Sequence, residues 1–145
     1  MSLDRSQSGF VTAEGIHNLS PRETVEWCAK GAIILDIREE YISHFKQFAV
    51  PVVIRIPRVQ LEKEYPRLSK DKWIIVADSS GLHSKEACQF LEQKGFTLVS
   101  NLAGGLVEWE RDGMPLLTDK GEQLTGSCAC QLRARDKKGR ESRNE

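Results

Sequence analysis

The stretch WIIVADSSGLHSKEAC, residues 73–88, leaves a hydrophobic run through small and polar residues and continues in a helical pattern. Asp78, Ser79, Ser80, Gly81, Leu82 and His83 make the loop, and Ser84 follows it. A strand that drops through a short loop into a helix is suited to holding an anion or mounting a nucleophile, because the first helical amides have no intrahelical partner and point into the loop. Here the residue leaving the strand is an aspartate, neither cysteine nor serine. A carboxylate can act as a covalent nucleophile in phosphoryl transfer, but no second aspartate stands two residues on and no metal constellation accompanies it. The simpler reading of Asp78 is a turn residue that accepts backbone hydrogen bonds at a strand end. His83 has the chemistry to orient a ligand or take a proton, and its simpler reading is an exposed loop histidine with a local hydrogen bond.

A second source of chemistry lies in LTGSCACQL, residues 124–132, where Cys128 and Cys130 are separated by one alanine. If this segment folds back over the strand ends, either thiol could carry a sulfur to the loop from outside. Otherwise both are exposed tail thiols, or one packs as a small apolar residue. Two thiolates are half of a closed zinc site, and His17, His44 and His83 are too scattered to complete it, so no metal is expected and no cofactor either. Cys28 and Cys88 fall on apolar helical stripes and read as core.

The elements that must position these residues are legible as a strand and helix alternation. In LSPRETVEWCAKG, Ser20 can cap a helix, Pro21 fits its first position and Glu23 completes a capping box. Val25, Cys28 and Ala29 give that helix its apolar stripe, and Gly31 ends it. Residues 32–37, 52–56 and 73–77 are apolar runs of strand length and are expected to be buried strands. Tyr41, Phe45 and Phe48, spaced by four and three, predict a short amphipathic helix. RVQLEKEYPRL predicts another, broken at Pro66. Ala87, Cys88 and Leu91 mark the inner face of a helix ending before Gly95, FTLVSNL returns as a fourth core strand, and GGLVEWERDG predicts a last helix with Leu106, Trp109 and Val107 inward. This alternation implies an α/β fold with a mostly parallel sheet covered by helices on both faces. Binding sites of such sheets lie at the carboxyl ends of the strands, so Asp36 to Arg38 and the Asp78 loop should share one face.

Length and charge narrow the function classes. At 145 residues the chain can build one real core, and 21 basic against 21 acidic residues argue against a nucleic-acid or anionic-membrane binder. The start lacks a basic and apolar leader and no apolar run approaches a bilayer span, so the expected compartment is the cytoplasm. Four cysteines placed in helices and tail do not form a secreted disulfide framework. Residues 131–145 carry six basic and three acidic side chains with almost no apolar content and are expected to be disordered. The expected organisation is a flexible N-terminus over 1–15, one domain over 16–118 and a cysteine-containing basic tail over 119–145.

ILDIREEY, RIP, IIVADSSGLHSKEACQFLEQKGF and NLAGGLVEWERDGMPL, in this order and spacing, closely resemble the rhodanese-like domain family over roughly residues 17–117. The most specific pieces are Asp36-Ile37-Arg38 after a strand, the six-residue loop at 78–83 followed by Ser84, and Gly104-Gly105 four residues before Trp109. The resemblance implies the rhodanese-like fold and a sulfurtransferase ancestry, in which a cysteine opening the loop takes up a sulfane sulfur and passes it to a thiophilic acceptor. Loop amides and the following helix dipole stabilise such a thiolate. Asp78 stands at the position that matches this cysteine, His83 stands where a basic residue is common, and the segment between Tyr41 and Pro57 departs from the family's usual Gly-His-Ile stretch and is a few residues longer. A fixed carboxylate in the cradle should weaken the binding of anions by roughly one to three powers of ten. The resemblance thus leads to a non-catalytic binding, sensing or regulatory module in sulfur metabolism, with a sulfurtransferase or thiol-redox protein working through Cys128 or Cys130 as the alternative. A small anion or a sulfur-carrier protein is the expected partner.

Overall fold

The computed structural model describes residues 3–6, 8–43 and 45–118. The described residues divide between two compact units, one holding those up to 43 together with 48–116 and the other holding 45–47 with 117–118. In chain order the elements are β1 (Phe10–Val11), β2 (His17–Leu19), α1 (Pro21–Ala29), β3 (Ile33–Asp36), α2 (Glu40–Ser43), β4 (Lys46–Phe48), β5 (Val53–Arg55), α3 (Leu61–Glu64), β6 (Ile74–Ala77), α4 (Leu82–Gln93), β7 (Val99–Leu102), α5 (Gly105–Arg111) and β8 (Leu116–Thr118). Short 3-10 turns, Arg58–Gln60 and Tyr65–Arg67, flank α3.

Six strands form one sheet in the order β1-β2-β7-β6-β3-β5, parallel except for β1. Helices cover both faces, as the alternation predicts. Strand pleating divides the central residues between two cores. Ile33, Leu35, Ile74 and Val76 face Leu61 of α3 and Ala87, Cys88 and Leu91 of α4. Ile34, Ile75 and Ala77 face Trp27 and Cys28 of α1 and Trp109 of α5. Strands β4 and β8 pair separately as a two-stranded sheet.

The start of α1 forms as its residues dictate. Ser20 Oγ accepts from the Glu23 amide at 3.1 Å and Glu23 Oε1 accepts from the Ser20 amide at 2.9 Å, completing the capping box with Pro21 in the first turn. The buried stripe is Thr24, Trp27 and Cys28, however, while Val25 is half-buried and Ala29 exposed. Helix periodicity identified the element but not its rotation, because the small residues Val25 and Ala29 gain less from burial than Trp27.

Three other expectations change. The helix expected through Phe45 and Phe48 stops at Ser43, and Phe48 lies on β4. There its ring meets Trp109 edge-on at 5.1 Å and lies 5.2 Å beneath the Arg38 guanidinium, while Phe45 is 58% exposed. A spacing of three and four imitated a helix in a segment that buries one aromatic, not two. Strand β5 is an edge strand, with Val53 and Ile54 half-buried and Arg55 exposed, so the run at 52–56 is not fully buried. Val107 points outward at 53% exposure, leaving Trp109 and half-buried Leu106 as the inner face of α5. Pro66 sits within a 3-10 turn after α3, where its missing amide costs nothing.

Residues 10–11, expected in a flexible arm, pair with β2, and Gly9 N donates to Glu23 Oε2 at 3.0 Å. The tail from residue 119 lies outside the described residues.

Candidate functional site

Strand β6 ends at Ala77 in the middle of the sheet, and Asp78 is the first residue beyond it. The side chain of Asp78 is buried at 4% exposure, and the loop wraps around it. Its Oδ2 accepts from the amide of His83 at 2.8 Å and its Oδ1 from the amide of Gly81, while Ser84 Oγ lies 3.4 Å from Oδ1. Helix α4 begins after Gly81, whose φ of +94° lies in the left-handed region and which has no side chain to offer as a cap. Asp78 therefore supplies from three residues upstream the acceptor that a capping residue would give, and its charge faces the positive end of a twelve-residue helix.

The loop is fastened from behind by α5. Leu106 N donates to the Asp78 carbonyl at 2.9 Å and Val107 N to the Ser79 carbonyl at 3.1 Å. This close approach explains Gly105, since a Cβ there would lie 2.5 Å from the Asp78 carbonyl oxygen. Below the loop, Ser84 Oγ donates to Asn101 Oδ1 and Asn101 Nδ2 donates to Asn18 Oδ1 at 2.7 Å. A chain of buried polar groups thus links the loop to strands β7 and β2.

Opposite the loop, Asp36 and Arg38 form a buried fork: Arg38 Nε donates to Oδ1 at 3.0 Å, Nη2 to Oδ2 at 2.8 Å, and the Arg38 amide to Oδ1 at 3.1 Å. Both side chains are about fully buried, at 1% and 2% exposure. As the topology predicts, Arg38 and Asp78 line one cleft, which has a volume of about 340 Å3. Ser79, Ser80 and His83 line it too. Leu82 instead projects outward, 69% exposed, and Ser84 is buried beneath the loop.

The sequence did not point to the other wall, which is built by Glu39 from the turn after β3, Ile42 of α2, and Arg58 and Val59 after β5. These also follow strand ends, so the rule that located the loop applies to them. Asn18 and Asn101 were equally missed, because only strand pairing brings them together.

Among the cysteines, Cys28 and Cys88 are buried on the helices expected for them, and burial pushes the Cys28 thiol up to about 12 and Cys88 still higher, with Glu92 and Asp78 adding to the second shift and Arg5 opposing it. Neither is a candidate sulfur carrier. Cys128 and Cys130 lie outside the described residues. His17 is a core residue stacked on Trp27 at 5.6 Å, with Nδ1 2.6 Å from Ser100 Oγ and Nε2 2.7 Å from the Ser8 carbonyl. Since that carbonyl only accepts, Nε2 carries a proton. Among the described residues, no group of three or more histidine, cysteine or acidic side chains is arranged to hold a metal, and no helix is long and apolar enough to cross a membrane.

The geometry agrees with what is found among known proteins. The chain is 29% identical to a sulfurtransferase of Allochromatium vinosum over 89 residues, 61% of this chain and 81% of that protein. A rhodanese-related protein from Thermoplasma volcanium superposes with a TM-score of 0.64 at 28% identity, covering 69% of this chain and 96% of that one. An NAD-dependent persulfide reductase from A. fulgidus superposes at 0.54 with 32% identity, over 65% of this chain but 16% of that larger protein. The sequence profile described as Rhodanese-like domain matches residues 20–112, well over half of the chain, and the chain belongs to the rhodanese-like family.

Proposed function

We propose that this rhodanese-like domain is a binding, sensing or regulatory module in sulfur metabolism rather than a sulfurtransferase that works through its loop. The observation that carries this reading is the placement of Asp78. Two amides at the loop's end, those of Gly81 and His83, donors that would stabilise a loop thiolate or a bound oxyanion, already converge on its carboxylate. A carboxylate cannot form a persulfide, and its negative charge opposes an incoming thiosulfate. What remains is a formed cleft at the strand ends, the place where sheets of this kind bind their ligands.

One alternative keeps the family's chemistry. Burial of Cys28 and Cys88 disfavours their thiolate forms, so on this alternative the sulfur is carried by Cys128 or Cys130. The full chain is assayed for sulfur transfer from thiosulfate to cyanide, with mass spectrometry after incubation with the donor. Negligible turnover and an unmodified tail support the binding module. Turnover lost in Cys128→Ser or Cys130→Ser, with an added sulfur on that residue, supports the tail-thiol enzyme. Robust turnover that survives both substitutions overturns both readings.

A further inference from the structure

The cleft at Asp78 differs in two ways from a receptor for a small anion. The first is charge. Of its ionised side chains, Arg38 is matched by the carboxylate of Asp36, and Arg58 lies 3.8 Å from Glu86. Glu39 and Asp78 are left, and neither is in an ion pair among the described residues. The loop amides and the α4 dipole already hold the buried Asp78 carboxylate, so Glu39 is the negative charge left open to a ligand at this cleft. The second is its mouth. Val59 is 77% exposed, Leu82 69% and Ile42 38%. Val59 and Ile42 line the cleft, and Leu82 stands between the lining residue His83 and Gly81. Large apolar side chains left in water around a polar cleft mark a protein interface.

Resting on the binding-module reading above, we propose that this face docks a partner protein that inserts one arginine or lysine side chain into the cleft. Charge complementarity selects that occupant, and so does shape. A basic side chain has an apolar stem and a charged head. The stem suits Ile42 and Val59, and the head suits the exposed Glu39. The partner's flanking apolar residues would cover Leu82. A carboxylate or phosphate would meet the negative charge of Glu39 in the same space.

The test uses the full chain, 15N-labelled, titrated with acetylated and amidated pentapeptides of sequence Ala-Leu-X-Leu-Ala in which X is arginine, glutamine or glutamate. The arginine peptide is expected to shift the amide resonances of residues 79–83 and to bind about tenfold tighter than the glutamate peptide, because charge reversal doubles the effect of one partly exposed ion pair. Glu39→Gln is expected to narrow that gap, and Val59→Ser to weaken the arginine and glutamine peptides alike. Equal affinities, a preference for glutamate, a gap unchanged by Glu39→Gln, or no shift with any peptide overturns the proposal. The sulfur-transfer assay reads separately: lost peptide preference with negligible turnover removes the basic occupant and leaves the binding module, whereas robust turnover removes the module itself.

Discussion

Asn101 donates through Nδ2 to Oδ1 of Asn18 at 2.7 Å, tying two neighbouring parallel strands by their side chains beneath the loop. The carbonyl oxygen of the same amide accepts from Ser84, which also reaches Asp78. All four side chains are buried, so each depends on the next for its hydrogen bonds. Ser84→Ala leaves the Asn101 oxygen without its donor in a site closed to water. The expected loss is about 1–3 kcal/mol of stability, measured as a lower urea midpoint with an unchanged slope.

Arg38→Ala should be more damaging. Asp36 is 1% exposed in its side chain and, among the described residues, keeps only the Arg38 amide once the fork is gone. Removing one partner of a buried ion pair costs about 3–5 kcal/mol, and the Phe48 ring loses the guanidinium that lies over it. Denaturant unfolding checks the size, and a loss below about 1 kcal/mol would show that water reaches Asp36.

Asp78→Cys tests whether the loop still cradles a nucleophile. The amides of Gly81 and His83 and the α4 dipole would then face a sulfur, lowering its ionisation range as helix N-termini do. The variant is expected to react with iodoacetamide at about pH 6 and to gain one sulfur at residue 78 after incubation with thiosulfate, read by peptide mass spectrometry. A thiol that stays inert there indicates that the outer wall, with Glu39 and Val59, closes the site to the donor.

Acid sensitivity should concentrate at Glu23. Burial alone would push its carboxyl up, but the amides of Ser20 and Gly9, the Ser20 hydroxyl and His17 outweigh this and hold it below the usual carboxylate range. A group held lower in the folded state contributes stability above its unfolded ionisation range and loses it as pH falls through its folded one. Between neutral pH and about pH 3 the wild type should therefore lose more stability than Glu23→Gln, which starts less stable at neutral pH. Parallel curves would assign the acid response to other carboxylates.

Thiol labelling gives a last check. In the folded protein Cys28 and Cys88 should resist iodoacetamide, since both are about fully buried and the thiolate form is disfavoured. In denaturant both should label at once. Labelling of Cys88 under native conditions would mean that α4 opens away from the sheet.

Much of this was legible in the chain because it is written in local pattern. The apolar runs ending at Asp36 and Ala77 specify central parallel strands, and the loop from Asp78 to Ser84 follows from strand, small residues and helix in succession. What escaped depends on contacts distant in sequence. Whether residues 52–56 are central or at an edge is decided by what pairs with β3, and apolar content alone does not tell. Phe45 and Phe48 are separated in fate by Trp109, some sixty residues away. Half of the cleft comes from residues after β3 and β5 whose types, glutamate, isoleucine, arginine and valine, carry no signature of a site.

The division of the core into two faces has an optical consequence. All three tryptophans of the chain, Trp27, Trp73 and Trp109, belong to the face covered by α1 and α5. Tyr65 packs with Phe90 and Phe96 on the face covered by α3 and α4. Indole emission therefore reports on one side of the sheet only, and a substitution that loosens α4 while leaving that emission in place would uncouple the two halves visibly, turning the sheet itself into the boundary of a cooperative unit.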